Sequence, residues 1–429
     1  MSMIRLSVSC LTLWWLGTGC VLAQQTVDLD LISRIDEYVT PLVEAGHLSG
    51  TLLVAHGDVV LYERSWGLAD REQNRPFDPE TPSCIASVTK PTTVILAARL
   101  IEDGTISLRD PVSKWLDDFP QGDQMQVQHL LFHRAGIPHR LTNPEEENVP
   151  RSAADMVELA RATPLDFEPG KGNRYSSGGY AVLVRVLELA SGKTYEQLLS
   201  ETILEPLALQ HTIHPGPGVQ IENAARSYSW TREGQQPAAE KDYSFLIGAG
   251  ALFSTPRDMW AIARALVNEE FGPTAKRRLL RGGRLGWNGI TNNFRAYLEY
   301  DSQTDLTVAL VSNQMTGAND LVRQNIPRIV AGEDVPEPQV PQPEFISVPA
   351  EVLERYAGQY DIGGPMPVRF RDGALYANDW MLLPISETRF FSPQDYATVE
   401  VVLDDDNPVA LDWAGMECKR LGPLDDRAP

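Results

Sequence analysis

Ser87-Val88-Thr89-Lys90, followed by Pro91 and an apolar stretch that runs to Glu102, is the segment on which the reading of this chain depends. Residues three apart on a helix share a face, so the Ser87 hydroxyl and the Lys90 amine can meet. A serine alone is a poor nucleophile. An amine whose pKa is lowered by burial can take the hydroxyl proton, and a covalent intermediate then divides one difficult hydrolysis into two easier steps. Val94, Ile95, Ala98 and Ile101 lie on one face of the following segment, and Gly104 suits a C-terminal cap, so a buried helix is expected over Ser87 to Glu102. Pro91 fits that helix only near its start.

Upstream, Leu31, Ile32, Ile35, Val39 and Leu42 recur at helical spacing before Gly46, which predicts a first helix from Leu29 to Val43. Gly50 to Ala55 and Val59 to Trp66 are β-rich runs joined by His56-Gly57-Asp58, the pattern of a hairpin. Downstream, helices are signalled at Tyr180 to Ser191, closed by Gly192, and at Thr255 to Val267, with Thr255 as cap and Pro256 in the first turn. Phe294 to Tyr300 and Leu306 to Ser312 read as a second hairpin. Strands therefore bracket a long, mainly helical middle. The fold class is α+β, an antiparallel sheet flanked by helices with a helical subdomain inserted.

Near Val335 the composition changes, and Pro336, Pro338, Pro341 and Pro343 make an extended, semi-rigid linker. Beyond Ala350 come short alternating runs with turns at Arg371-Asp372-Gly373 and Asp404 to Asn407, and a brief helical piece at Val352 to Tyr356. A small all-β domain, sandwich or barrel, is expected to close the chain. The first residues read as a secretory signal: Arg5 is the sole charge, an apolar run spans Leu6 to Leu16, and Val21-Leu22-Ala23 precedes Gln24. The expected parts are a signal peptide at 1–23, a hydrolase domain at 24–332, a linker at 333–349 and the β domain at 350–429.

Export to the periplasm or beyond follows from that leader. Cys20 after Gly17-Thr18-Gly19 is the alternative, a lipid-anchored form, but the bulky aliphatic residue falls one place too early for it. Loss of Arg5 with the leader moves the net charge from −21 to −22, a surface that repels nucleic acid and anionic lipid. With Cys10 and Cys20 in the leader, only Cys84 and Cys418 remain, and two buried thiols are a better reading than a bridge.

A second chemical partner is Tyr175 in Tyr175-Ser176-Ser177-Gly178-Gly179-Tyr180, a polar turn just ahead of a helix, from which a phenol could serve Ser87 as general acid or base. Taken with Ser87-Val88-Thr89-Lys90, this turn makes the chain resemble the serine β-lactamase and penicillin-binding-protein family, in its class C and carboxypeptidase branch. Val127-Gln128-His129-Leu130-Leu131-Phe132-His133-Arg134-Ala135-Gly136-Ile137-Pro138, Glu205-Pro206-Leu207 and Gly248-Ala249-Gly250-Ala251-Leu252-Phe253-Ser254-Thr255 add to the resemblance, which covers roughly residues 28 to 330.

The family's third motif is normally Lys-Thr-Gly or His-x-Gly on a strand beside the site, and here the matching place reads Trp287-Asn288-Gly289. By this resemblance the backbone N–H groups of Ser87 and Ile290 form an oxyanion hole, while Ser177, Trp287, Asn288 and Gly289 contact substrate. The Trp-x-Gly form is similar to that of family VIII carboxylesterases. An indole cannot pair with a substrate carboxylate, whereas it offers an apolar wall to an ester. Ser177 also stands where the family usually has an asparagine that would hold a substrate amide. Both departures point toward esters, and Arg284 or Arg295 is the candidate for a substitute cation.

Rival sites are weaker. His129 and His133 have zinc-like spacing, but Leu130 stands where a metalloprotease has glutamate, so structural histidines are expected and no metal or cofactor is implied. No serine has the glycine spacing of an α/β-hydrolase elbow. Cys84 lacks a histidine motif beside it, and Asp404-Asp405-Asp406-Asn407 lacks the glycine and distal glutamate of a calcium loop. Three functions follow: an esterase-like serine hydrolase, a D-amino-acid peptidase or β-lactamase with the same mechanism, and a catalytically silent binding protein. The partner in the first two is a small ester, amide or peptide.

Overall fold

In a strand that is buried on both faces, consecutive residues must all be apolar, and Val308-Ala309-Leu310-Val311 meets that demand. It lies in the middle strand of a five-stranded antiparallel sheet. The computed structural model describes residues 29–378 and 380–424, so the leader, Cys10 and Cys20 lie outside the described residues. In chain order the strands are β1 (Gly50–His56), β2 (Val59–Trp66), β3 (Arg284–Thr291), β4 (Phe294–Asp301) and β5 (Leu306–Ser312), arranged β2-β1-β5-β4-β3. Both expected hairpins are present, and β1 joins them by pairing with β5 from Gly50 with Ser312 to His56 with Leu306.

Val308 and Leu310 face a layer made by α1 (Leu29–Glu44) and, near the end of this unit, a helix at Gly317–Val330. Ala309 and Val311 face the larger helical side. There α2 (Lys90–Glu102), α3 (Ser177–Ser191) and α4 (Pro256–Val267) pack together; the Gly317–Val330 helix is α5. Thr255 caps α4 as expected, its hydroxyl accepting from the Asp258 N–H at 3.2 Å.

One expectation is corrected. The helix after Ser87 does not begin at Ser87: Ala86–Thr89 forms a 3₁₀ turn and the α-helix starts at Lys90. Proline has no N–H and is accommodated in a first α-turn, so Pro91 sits just inside the helix start. The reading also missed α5, a helix at Gly272–Leu279 and a small hairpin of Tyr228–Thr231 with Gly234–Pro237.

Residues 333–349 contain neither helix nor strand. After α6 (Ala350–Tyr356) the chain forms a closed antiparallel barrel of eight strands: β6 (Gly358–Asp361), β7 (Pro365–Arg371), β8 (Ala374–Ala377), β9 (Trp380–Pro384), β10 (Arg389–Ser392), β11 (Ala397–Asp404), β12 (Asn407–Trp413) and β13 (Met416–Gly422). Closure removes the exposed sheet edges that a sandwich would leave. Tyr356, Tyr360, Phe390, Val399 and Leu411 fill the barrel interior. The acidic run Asp404 to Asn407 forms the β11–β12 turn. Cys418 is buried in the barrel core and Cys84 beside Phe253 and Phe294 in the catalytic unit, both as free thiols.

Tyr396 joins the barrel to the sheet unit. Its hydroxyl shares a 2.6 Å hydrogen bond with His47 Nδ1, and the Gly317 N–H donates to the Pro393 carbonyl at 2.8 Å. A methyl on Gly317 would meet the Tyr396 ring at 2.6 Å. Alanine raises helix propensity by about 1 kcal/mol over glycine, so Gly317→Ala gains locally and loses only through this clash. The clash is expected to win by about 1–3 kcal/mol. Limited proteolysis reads it: the variant is expected to be cut faster within 333–349, and an unchanged rate removes the Tyr396 plug from the account.

Candidate active site

Ser87, the candidate nucleophile, is set by a strained turn. Ala86, immediately before Ser87, is buried and adopts φ 46°, a left-handed conformation that costs an alanine energy and is held by its surroundings. Two hydrogen bonds hold the turn: the Ile85 N–H donates to the Leu252 carbonyl at 2.9 Å, and the Leu252 N–H donates to Thr89 Oγ1 at 3.2 Å. The same contacts bring the Gly248-to-Ser254 segment alongside. A 3₁₀ turn has three residues per revolution, so side chains at i and i+3 eclipse. Lys90 Nζ accordingly lies 3.3 Å from Ser87 Oγ.

Lys90 is 6% exposed. Its Nζ is also 2.8 Å from the Ala249 carbonyl and 3.2 Å from Ser177 Oγ, and it lies 4.6 Å from the Tyr175 ring centroid. Burial disfavours the ammonium and brings the pKa down to about 7. The neutral amine has two hydrogens and one lone pair. The Ala249 carbonyl, which can only accept, takes one hydrogen and Ser177 Oγ the other. The lone pair is left for the Ser87 hydroxyl proton.

Tyr175 donates its hydroxyl to Ser87 Oγ at 2.7 Å. Burial pushes its pKa above the ordinary tyrosine value, against the opposing effect of the Ser87 hydrogen bond, so it remains a phenol at neutral pH. Its position is fixed from behind by two histidines. His133 Nδ1 accepts from the Ser176 N–H and His139 Nδ1 from the Ser177 N–H, each at 3.2 Å, and their rings lie 4.6 and 5.4 Å from the Tyr175 ring. Both have pKa values lowered to about 4, by burial first and the nearby Lys90 charge second, which keeps them as neutral acceptors. Ser176 caps α3, accepting from the Gly179 N–H at 2.8 Å. His129 accepts from the Gln126 N–H instead, so neither member of the zinc-like pair is idle. Among the described residues no group of three or more His, Cys, Asp or Glu side chains could hold a metal ion. His139 was not singled out in the sequence, because nothing local marks a histidine 38 residues before the backbone it supports.

The third-motif strand, β3, runs along the edge of the sheet beside the Ser87 turn. A Cβ on Gly289 would sit 2.2 Å from the Ile85 carbonyl and 3.1 Å from the Ser87 nitrogen, so only glycine permits this approach. Asn288 and Ile290 line a cavity of about 680 Å³ together with Ser87, Tyr175 and Ser177. Trp287 is placed differently from the expectation. Side chains alternate along a strand, and its half-buried indole packs against the helical-side core instead of lining the cavity. Ser177, expected to face substrate, spends its hydroxyl on Lys90 while lining the cavity. The substitute cations are also engaged elsewhere: Arg284 pairs with Asp301 at 2.8 Å, and Arg295, 3% exposed, pairs with Asp320 at 2.7 Å. The cations that do line the cavity are Lys241, paired with Glu147, and Arg140 and Arg371, none of which the sequence had marked. For Gly289→Ala the expected outcome is a kcat loss of roughly 10²–10³-fold with little change in KM, because the added Cβ pushes β3 off the Ser87 turn and displaces the oxyanion donor that the family resemblance implies at Ile290. Steady-state kinetics on any turned-over ester checks it.

Comparison with known proteins gives the family and the fold. The β-lactamase family model matches residues 35–332. Penicillin-binding protein 4* of Bacillus subtilis (strain 168) is 26% identical over 427 residues, covering 85% of this chain and 92% of that protein. Among solved structures, D-amino acid amidase from Ochrobactrum anthropi SV3 superposes with a TM-score of 0.64 at 22% identity, over 71% of this chain and 99% of that one. SurE superposes with a TM-score of 0.61 at 21% identity over 92% of this chain and 100% of its own length, which extends the likeness of fold into the barrel. With its signature residues gathered around one serine and its family model spanning the sheet unit, the chain belongs to the β-lactamase family, as a hydrolase of the penicillin-binding-protein fold.

Proposed function

We infer that this hydrolase works through an acyl-enzyme on Ser87 and is carboxylesterase-like in selectivity. The observation that carries the mechanism is the pair of contacts on one oxygen, Lys90 Nζ at 3.3 Å and the Tyr175 hydroxyl at 2.7 Å from Ser87 Oγ. Ser87 Oγ attacks the substrate carbonyl carbon while its proton passes to the Lys90 lone pair. Negative charge gathers on the carbonyl oxygen, where the N–H groups of Ser87 and Ile290 receive it. Collapse breaks the bond to the leaving group, which takes a proton through Tyr175. Water then attacks the acyl carbon, its proton following the same route backward, and Ser87 is regenerated.

Ester selectivity is supported by what β3 lacks. The third-motif position carries no cation, and Arg284 and Arg295 are held by Asp301 and Asp320. Nothing on that strand balances a carboxylate close to the scissile bond, which penicillins and peptide C-termini present. Trp287 drops out of this case, since its indole packs into the core. A second reading, hydrolysis of D-amino-acid peptides or β-lactams by the same mechanism, is favoured by the likeness to D-amino acid amidase for the first substrate and to penicillin-binding protein 4* for the second. A silent binding role has no support in a lysine and a tyrosine that both reach the serine. The leader read over 1–23 supports an exported, periplasmic or secreted protein.

Purified protein lacking the leader tests the reading. A short-chain nitrophenyl ester is expected to be turned over, with a loss of about 10⁴-fold or more in Ser87→Ala and roughly 10²–10⁴-fold in Lys90→Met. Faster turnover of a D-alanyl peptide or a chromogenic cephalosporin would instead favour the second reading. The base must be the neutral amine, so kcat/KM is expected to rise with pH through a midpoint near 7 and then level off. A midpoint near 10 would mean that Lys90 is solvated and the proposed base is wrong.

A further inference from the structure

The cavity over Ser87 does not belong to the catalytic unit alone. Its far side is formed by the barrel: Arg371 and Asp372 at the β7–β8 turn, Tyr376 on β8 and Trp380 on β9 line the same space as Ser87 and Tyr175. Trp230, from the small hairpin that packs against β9, lines it as well. These residues do not hang on a loose domain. Tyr396 seats against Gly317 and His47, and the Gly317 N–H to Pro393 hydrogen bond holds the neighbouring chain.

Arg371 lies with its guanidinium carbon 4.0 Å from the Tyr376 ring centroid. At that distance the planar group lies over the ring, and together with its hydrogen bond to the Tyr376 hydroxyl this restricts its motion while the rest of the five-donor guanidinium can meet a carboxylate. The cavity, about 680 Å³, falls within the range of pockets that enclose drug-sized ligands, far more than a short acyl group fills. A cation is missing from β3 close to the scissile bond and is present at the opposite wall.

We propose that the barrel wall is a distal subsite for the carboxylate end of an extended substrate, with Arg371 as the anion's partner and Tyr376 and Trp380 beside the apolar stem that leads to it. This rests on Ser87 being the reacting group. It makes the barrel a part of the site that measures substrate length. Asp372 follows Arg371 and lines the same cavity, so its negative charge opposes the bound carboxylate.

The test uses a matched pair: the nitrophenyl ester of a straight-chain dicarboxylic acid with its far carboxylate free, and the same ester with that carboxylate methyl-capped. The ratio of kcat/KM values, charged over capped, is expected to exceed one in the wild type and to fall about tenfold or more in Arg371→Ala, the scale of a lost charge-assisted pair. Arg371→Lys is expected to retain part of it, because it keeps the charge and loses the fork. Asp372→Asn is expected to raise the ratio severalfold by removing the opposing charge. Arg371 is exposed, so its variant is expected to keep the thermal midpoint of the parent. A ratio unmoved by Arg371→Ala, or lowered by Asp372→Asn, overturns the proposal.

Failure of the Ser87 chemistry would look different: neither ester turned over and no labelling of Ser87 by a fluorophosphonate. The subsite can still be read in that event. Calorimetric binding of the charged ester to Ser87→Ala is expected to weaken at least tenfold when Arg371→Ala is added, and equal affinity in the two proteins overturns the subsite.

Discussion

A lysine amine kept out of water is the constraint around which this molecule is arranged. Without burial, an ammionium would sit beside Ser87 at neutral pH and could not accept its proton. Tyr175 and Tyr180 cover Lys90 with aromatic rings, at 4.6 and 5.5 Å from their centroids, and burial is the cause of its lowered pKa. The Ala249 carbonyl then fixes where the amine points. In the proposed mechanism desolvation makes Lys90 a base, and one backbone oxygen aims it.

Each surrounding element serves that arrangement. The 3₁₀ turn at Ala86–Thr89 puts Ser87 and Lys90 one revolution apart, and the strained Ala86 is the cost of presenting the serine at the turn. Two neutral histidines hold the Tyr175–Ser177 backbone so that the phenol reaches Ser87 without being ionised by it. Gly289 lets an edge strand lie against the turn at a distance no side chain would allow. The sheet and its two helical layers provide the rigid support from which these short contacts are made.

The departures from the family pattern become intelligible in the same terms. Ser177, where the family usually has asparagine, accepts a hydrogen bond from Lys90 at 3.2 Å, so its hydroxyl is engaged with the amine before any substrate arrives. Tryptophan at 287 fills core space on the inner face of β3. With the strand cation gone, the charge pattern of the cavity is set by residues from elsewhere, including the barrel. The cavity walls and the Ser87–Lys90–Tyr175 cluster are thereby built from separate parts of the chain.

Local sequence alone marked the Ser87–Lys90 pair, because residues three apart on a helical turn share a face, while the Leu252 and Ala249 contacts that aim it come from the folded chain. It also determined the hairpins and most of the helices that carry apolar periodicity, such as α1 and α4. The β character of the last eighty residues was legible from alternation and turn residues, but alternation reads the same in a sandwich and in a barrel, and only strand pairing between β6 and β13 closed it. The start of α2 was misplaced because proline shifts a helix boundary by a few residues, within the range that periodicity cannot resolve. The role of Trp287 depended on which face of β3 meets the core, and a one-residue change of register would have reversed it. His139, Trp230 and Arg371 carry no local signal at all. They enter the site because hydrogen bonds and packing across dozens to hundreds of residues bring them there, and those contacts exist only in the folded chain.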